Sequence, residues 1–148
     1  MGRHNHSSKN KKKWDYTQTH CPYCGHKLVF RTAEQMGIDE EDGVNFWACS
    51  NYPECDAYVR TNRYSQKPRG TVANGKLRQL RQETHKVFNR LYESGYMKKA
   101  EAYLWLGNVM GMGCTRQQVH IGQFSEYACK IVIEEVNKFI QNNPQYFK

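Results

Sequence analysis

The chain has 148 residues, 39% of them apolar and 13% aromatic, and a formal charge of +8 at pH 7. That length suffices for one ordinary domain or for a metal-stapled module joined to a small helical one. No run approaches the roughly 18 apolar residues of a membrane span, so a membrane-spanning helix is excluded, and the basic excess favours a polyanionic partner, nucleic acid above all, through long-range attraction and counterion release.

In chain order, residues 1–13 hold no apolar side chain beyond Met1. They cannot bury enough surface to offset the entropy of ordering, so a disordered basic arm is expected, with His4 and His6 incidental to it. No apolar segment follows the basic residues as it would in a signal peptide. The expected compartment is therefore the reducing cytoplasm, where paired cysteines hold metal more often than they form disulfides.

Residues 14–62 carry the cysteine motifs and predict a zinc ribbon. Cys21-Pro-Tyr-Cys24-Gly25 has the form of a metal knuckle, and Cys49-Ser-Asn-Tyr-Pro-Glu-Cys55 supplies two more thiols. A structural Zn²⁺ takes four tetrahedral ligands, and two tight turns supply two each with little strain. A glycine after the second cysteine permits a positive φ, which lets backbone N–H groups point at the thiolates. Four thiolates around Zn²⁺ would lower the formal charge to about +6. Strand-like pieces lie at residues 27–32, 45–48 and 57–60, which predicts three short antiparallel strands, with the acidic stretch 34–43 as a long hairpin loop.

Cys-Pro-Tyr-Cys also looks like the redox motif of glutaredoxins, which requires a buried strand before it and a helix after it. Here a polar stretch precedes the motif, and a glycine and β-prone residues follow it, so zinc is the expected role. No nucleophile motif or paired catalytic acid is evident, and a zinc with four thiolates has no open position for water or substrate. An enzyme is not expected.

Residues 63–75, with Pro68, Gly70 and Gly75 among polar groups, predict a linker, and residues 76–148 a compact bundle of about three helices. The expected fold class is α+β. In the first helix Leu77, Leu80, Thr84, Val87, Phe88 and Leu91 share a face, opposite Lys76, Arg78, Arg81, Lys86 and Arg90. A second helix over residues 98–110 is expected to carry Ala100, Tyr103, Leu104 and Gly107 on a common side, with Gly111 and Gly113 ending it. A third should begin at the N-cap Ser125, run to about Asn142 and stop before Pro144. A helix-turn-helix using residues 115–120 as the reading helix is disfavoured by the two glycines and the shortness of that piece. Cys114, His120 and Cys129 lack the close spacing of a second metal site and are expected to be structural.

The stretch 21–60 resembles the four-cysteine zinc finger of bacterial type IA topoisomerases, through Cys21-Pro-Tyr-Cys24-Gly25, Leu28-Val29, Arg31 and above all Cys49-Ser-Asn-Tyr-Pro-Glu-Cys55. The resemblance covers about a quarter of the chain and departs from that family by the acidic insertion 34–42, whose charge opposes a phosphate backbone. It implies contact with single-stranded DNA near Tyr23, Phe46, Trp47, Tyr52 and Tyr58. Stacking of such aromatics on unpaired bases would be complemented by Arg31, Arg60, Arg63, Lys67 and Arg69 along the phosphates. None of the strand-passage machinery of a topoisomerase fits in the remaining residues. The finger followed by Gly70-Thr-Val-Ala-Asn74 and His120-Ile-Gly-Gln-Phe124 resembles small zinc-finger proteins of phages and prophages. The expected function is a nucleic-acid-binding accessory protein for single-stranded or distorted DNA or RNA. The alternative is an adaptor that engages a host replication, transcription or defence protein.

Overall fold

The computed structural model describes residues 18–111 and 120–147. The basic arm, Gly113, Cys114 and the segment 115–119 lie outside them. The chain divides after Gly75 into two compact units.

The first unit is a three-stranded antiparallel sheet in the order β1 (Leu28–Thr32), β2 (Asn45–Cys49), β3 (Tyr58–Arg60). Its register pairs Leu28 with Cys49 and Phe30 with Trp47, and Trp47 in turn with Val59. Because side chains alternate across a strand, one face presents Leu28, Phe30, Trp47 and Val59, and the other Arg31, Phe46, Ala48, Tyr58 and Arg60. Cys21, Leu28, Cys49, Ala57, Val59 and Val72 form one small core cluster, and Met36, Phe46 and Ala48 form another.

The acidic loop contains a short helix, α1 (Ala33–Met36). Thr32 ends β1 and caps α1 in the same step. Its hydroxyl accepts from the Gln35 N–H at 3.1 Å, while its own N–H donates to Gln35 Oε1 at 2.8 Å, a capping box that satisfies two otherwise orphaned donors. Gly37 terminates the turn, and Met36 buries itself against Phe46 and Ala48.

Residues 63–75, a linker by composition, are folded back on the sheet. Thr61 bridges to Pro68, and Tyr58 and Ala73 exchange backbone hydrogen bonds of 3.0 and 3.2 Å. Val72 and Ala73 are buried. The apolar pair inside Thr-Val-Ala-Asn outweighs the turn-forming residues around it.

The second unit holds α2 (Gly75–Glu93), α3 (Lys99–Met110) and α4 (Glu126–Gln141), with short 3-10 turns at Ile121–Gln123 and Pro144–Tyr146. Together the sheet and helices make an α+β fold. Phe88, Leu91, Ala102, Leu106, Ile121, Phe124, Cys129, Val132 and Val136 form one contiguous core. Ser125 caps α4 by accepting from the Ala128 N–H at 3.2 Å.

Two helix faces differ from expectation. Arg81 is buried, and its Nε donates to the Phe124 carbonyl at 3.0 Å, so it belongs to the packing of the unit and not to a basic outer face. On α3, Ala100 and Leu104 are exposed, whereas Ala102 and Leu106 are buried. Because apolar residues line most of that helix, spacing alone does not select a face.

Candidate metal centre

The two cysteine pairs sit in turns of similar design. Cys21 lies just before β1, with its N–H bonded to the His26 carbonyl at 2.7 Å, and its carbonyl accepts from the Gly25 N–H at 3.0 Å. Gly25 has φ +81°, a conformation open to glycine at little cost. In the second turn Cys49 ends β2, its carbonyl accepts from the Tyr52 N–H at 3.0 Å, and the Cys55 N–H returns to the Asn51 carbonyl at 3.0 Å. In each turn the N–H two residues past the first cysteine points at its sulfur. Tyr23 donates to Cys21 Sγ and Asn51 to Cys49 Sγ, both at 3.4 Å. These donors stabilise negative sulfur.

All four Sγ atoms lie within 4.8 Å of one another. The Cys21–Cys55 separation is 3.6 Å and the Cys24–Cys49 separation 3.3 Å, against an edge of about 3.8 Å for a tetrahedron of sulfurs ~2.3 Å from zinc. Four soft donors at that spacing fit one structural Zn²⁺, which would staple β1 to the β2–β3 turn and neutralise thiolate charge. Cys21 and Cys49 are buried, Cys55 is half-buried, and Cys24 is exposed.

Without metal the thiols differ. Cys24 is held down at about 6, first by the His26 backbone and then by the Cys49 side chain, with the His26 ring, 3.2 Å from its sulfur, adding to this. Burial pushes Cys49 up to about 12 and Cys55 upward as well. Metal binding must therefore displace the protons of Cys49 and Cys55.

A family model for a zinc-finger-containing domain, DUF3268, matches residues 17–139. The chain belongs to this family. No curated protein and no solved structure matches it. Within this zinc-finger domain the four cysteines are the group of potential metal ligands found among the described residues. His120 is exposed and Cys129 fully buried in α4. No helix among the described residues is long and apolar enough to cross a membrane.

The structure divides the remaining candidate residues between the two sheet faces. On one, Phe46 is fully buried, so it is not available to stack on a base; its ring packs edge-on to Tyr58 at 5.3 Å. Tyr52 and Tyr58 are half-buried and face each other at 6.0 Å. Arg31 shares this face in the same cross-strand row as Phe46 and Arg60. The Arg60 guanidinium lies over the Phe46 and Tyr58 rings, 5.6 and 5.7 Å from their centroids, and is paired with Glu40. Burial raises the Glu40 pKa, but Arg60 outweighs it, with Arg69 assisting, and the carboxyl lies below its usual range. Arg63 donates to the Asp42 carbonyl at 2.9 Å and lies 3.9 Å from Glu41. The acidic loop is thus the counter-charge of Arg60 and Arg63.

On the opposite face Phe30 and Trp47 meet edge to face at 5.2 Å, both half-buried. The Trp47 Nε1–H donates to the Gln66 carbonyl at 2.7 Å, fixing the indole. Lys27, Trp47 and Pro68 line one cavity on this face, next to Lys67 in the chain. Tyr23 is exposed on the first knuckle. Phe30 and Lys27 are absent from the sequence-derived candidates. The alternation Leu28–Phe30 on β1, set against Trp47 by the cysteine-fixed register, is the signal that finds Phe30.

Proposed function

We propose that this protein is a non-enzymatic, zinc-stapled accessory module that binds single-stranded nucleic acid on the ribbon face carrying Phe30 and Trp47. The observation that supports it best is that half-exposed aromatic pair, held in place by the indole hydrogen bond and lying on the face away from the Arg60–Glu40 pair. Stacking on such a platform contributes about 1–3 kcal/mol per base and tolerates sequence variation. Lys27 and Lys67 supply nearby cations, whereas the Arg69 charge acts on Glu40. Tyr52, Tyr58, Arg60 and Arg63 serve chiefly to hold the acidic loop and the sheet.

The chemistry of four reduced thiolates favours a cytoplasmic setting, and the resemblance to phage and prophage zinc-finger proteins favours a role in phage or prophage biology. Fluorescence anisotropy of the zinc-loaded chain with labelled single- and double-stranded oligonucleotides across a salt series tests the reading. Micromolar binding that prefers single strands, falls steeply with salt and weakens about tenfold in Trp47→Ala is expected. No binding at low salt would refute it.

A second reading, an adaptor for a host protein, draws on the helical unit, where the exposed rings of Tyr96 and Tyr146 lie 4.4 Å apart beside Phe147. An adaptor would keep its partner at high salt and lose it in Tyr146→Ala.

A further inference from the structure

The Phe30–Trp47 side of the ribbon is not flat. A cavity of about 180 Å³ opens there, walled by Leu28, Trp47, Val59, Pro68 and Val72, with Lys27 on its lining. Its walls are tied into the fold by burial and hydrogen bonds. Leu28 and Val72 are buried in the cluster that holds Cys21 and Cys49, and Trp47 is pinned through its Nε1–H. The Val72 N–H is satisfied by Gln18 Oε1 at 3.0 Å, and the Thr19 carbonyl accepts from the Leu28 N–H at 2.9 Å. An occupant is therefore held by shape, apolar contact and the aromatic wall.

We infer that this cavity is a base-binding pocket that takes one pyrimidine ring of a single strand, turned out of the stack, while Lys27 meets the phosphate of the same nucleotide. The inference rests on the single-strand reading above and adds to it the place and size class of the base. An apolar cavity of roughly 150 Å³ takes up a benzene ring, so this one has room for a single six-membered heterocycle and not for a base pair or a helix face. Charge decides between a base and a protein side chain. Lys27 is exposed at the cavity, and every nucleotide brings an anion a few bonds from its ring, whereas an apolar side chain does not. Extrusion costs little for a base that is already unpaired, so single strands are selected over duplex.

The test is a nitrogen-15 NMR titration of the full zinc-loaded chain with hexathymidylate, hexaadenylate and a six-unit abasic phosphodeoxyribose chain, with N-acetylphenylalaninamide as the protein-side-chain probe. The Trp47 indole N–H is the reporter. Hexathymidylate is expected to move that resonance and those of Thr19, Leu28 and Val72, and to bind about fivefold or more tightly than either other oligomer. The rim variant Thr19→Tyr, at an exposed position that leaves the backbone hydrogen bonds in place, should weaken hexathymidylate by a similar factor while zinc content stays unchanged. If all three oligomers bind alike and shift only surface lysines, the pocket is wrong and the nucleic-acid reading survives. If no oligomer binds, both fall. If N-acetylphenylalaninamide moves the pocket resonances and hexathymidylate does not, the cavity serves a protein partner and the base assignment is overturned.

Discussion

The two units solve the problem of small size differently. Among the described residues, the helical unit buries nine in one contiguous apolar cluster, including Phe88, Leu91, Leu106, Val132 and Val136. The ribbon splits its apolar residues into two small clusters on either side of a three-stranded sheet, and two members of the larger are the metal ligands Cys21 and Cys49. A segment with so little core depends on a metal for its folding free energy. The helices draw theirs from burial. Within the ribbon, charge separates the two sheet faces: Arg60 and Arg63 are engaged with the acidic loop, while the opposite face keeps its aromatic pair.

The largest effect that could break this contrast is Cys49→Ser. It removes a ligand from a site whose metal-binding free energy is on the order of 10 kcal/mol. Elemental analysis should show zinc lost, and the Trp47 environment should collapse while helical circular dichroism persists. Phe88→Ala is the converse test. With Phe88 fully buried, it should cost about 3–5 kcal/mol in the helical transition, with zinc remaining at one per chain.

Gly43→Ala probes the acidic loop. Gly43 has φ +85°, and an added Cβ would come within 2.6 Å of the Tyr64 ring. A loss of about 1–3 kcal/mol is expected in the thermal transition of the ribbon.

The smallest effect is Glu40→Gln, below about 1 kcal/mol for a partly exposed ion pair. Its sign follows from the lowered Glu40 pKa. The pair stabilises fully above the unfolded carboxylate value, and that contribution is lost as pH falls through the lower folded value. The gap in Tm between wild type and variant should therefore be widest near pH 7 and close below about pH 4. A gap that widened in acid would contradict the pairing.

Much of this architecture was legible because a few residues dictate it. The Cys-Pro-Tyr-Cys-Gly knuckle and the wider second turn define the metal set without reference to tertiary contacts, and Ser125 with Pro144 bounds α4. What spacing could not supply were choices made by packing. Thr32 and Gln35 close a capping box inside an otherwise loop-like acidic stretch. Val72 and Ala73 tie an apparent linker to the sheet. Arg81 finds a backbone carbonyl from a different element, and Leu104 loses the core to Leu106 on a helix apolar nearly all round. Phe46 illustrates the same limit in the candidate interface: its type suits base stacking, but the capping helix and Met36 place it under cover.

Hydrogen exchange followed by mass spectrometry, on the zinc-loaded chain and after chelation, tests the metal-dependence of the ribbon most directly. Chelation should remove protection across residues 20–73 and leave residues 77–91 and 126–141 protected as before. Protection retained in the ribbon without zinc, or lost in both units together, would contradict the account.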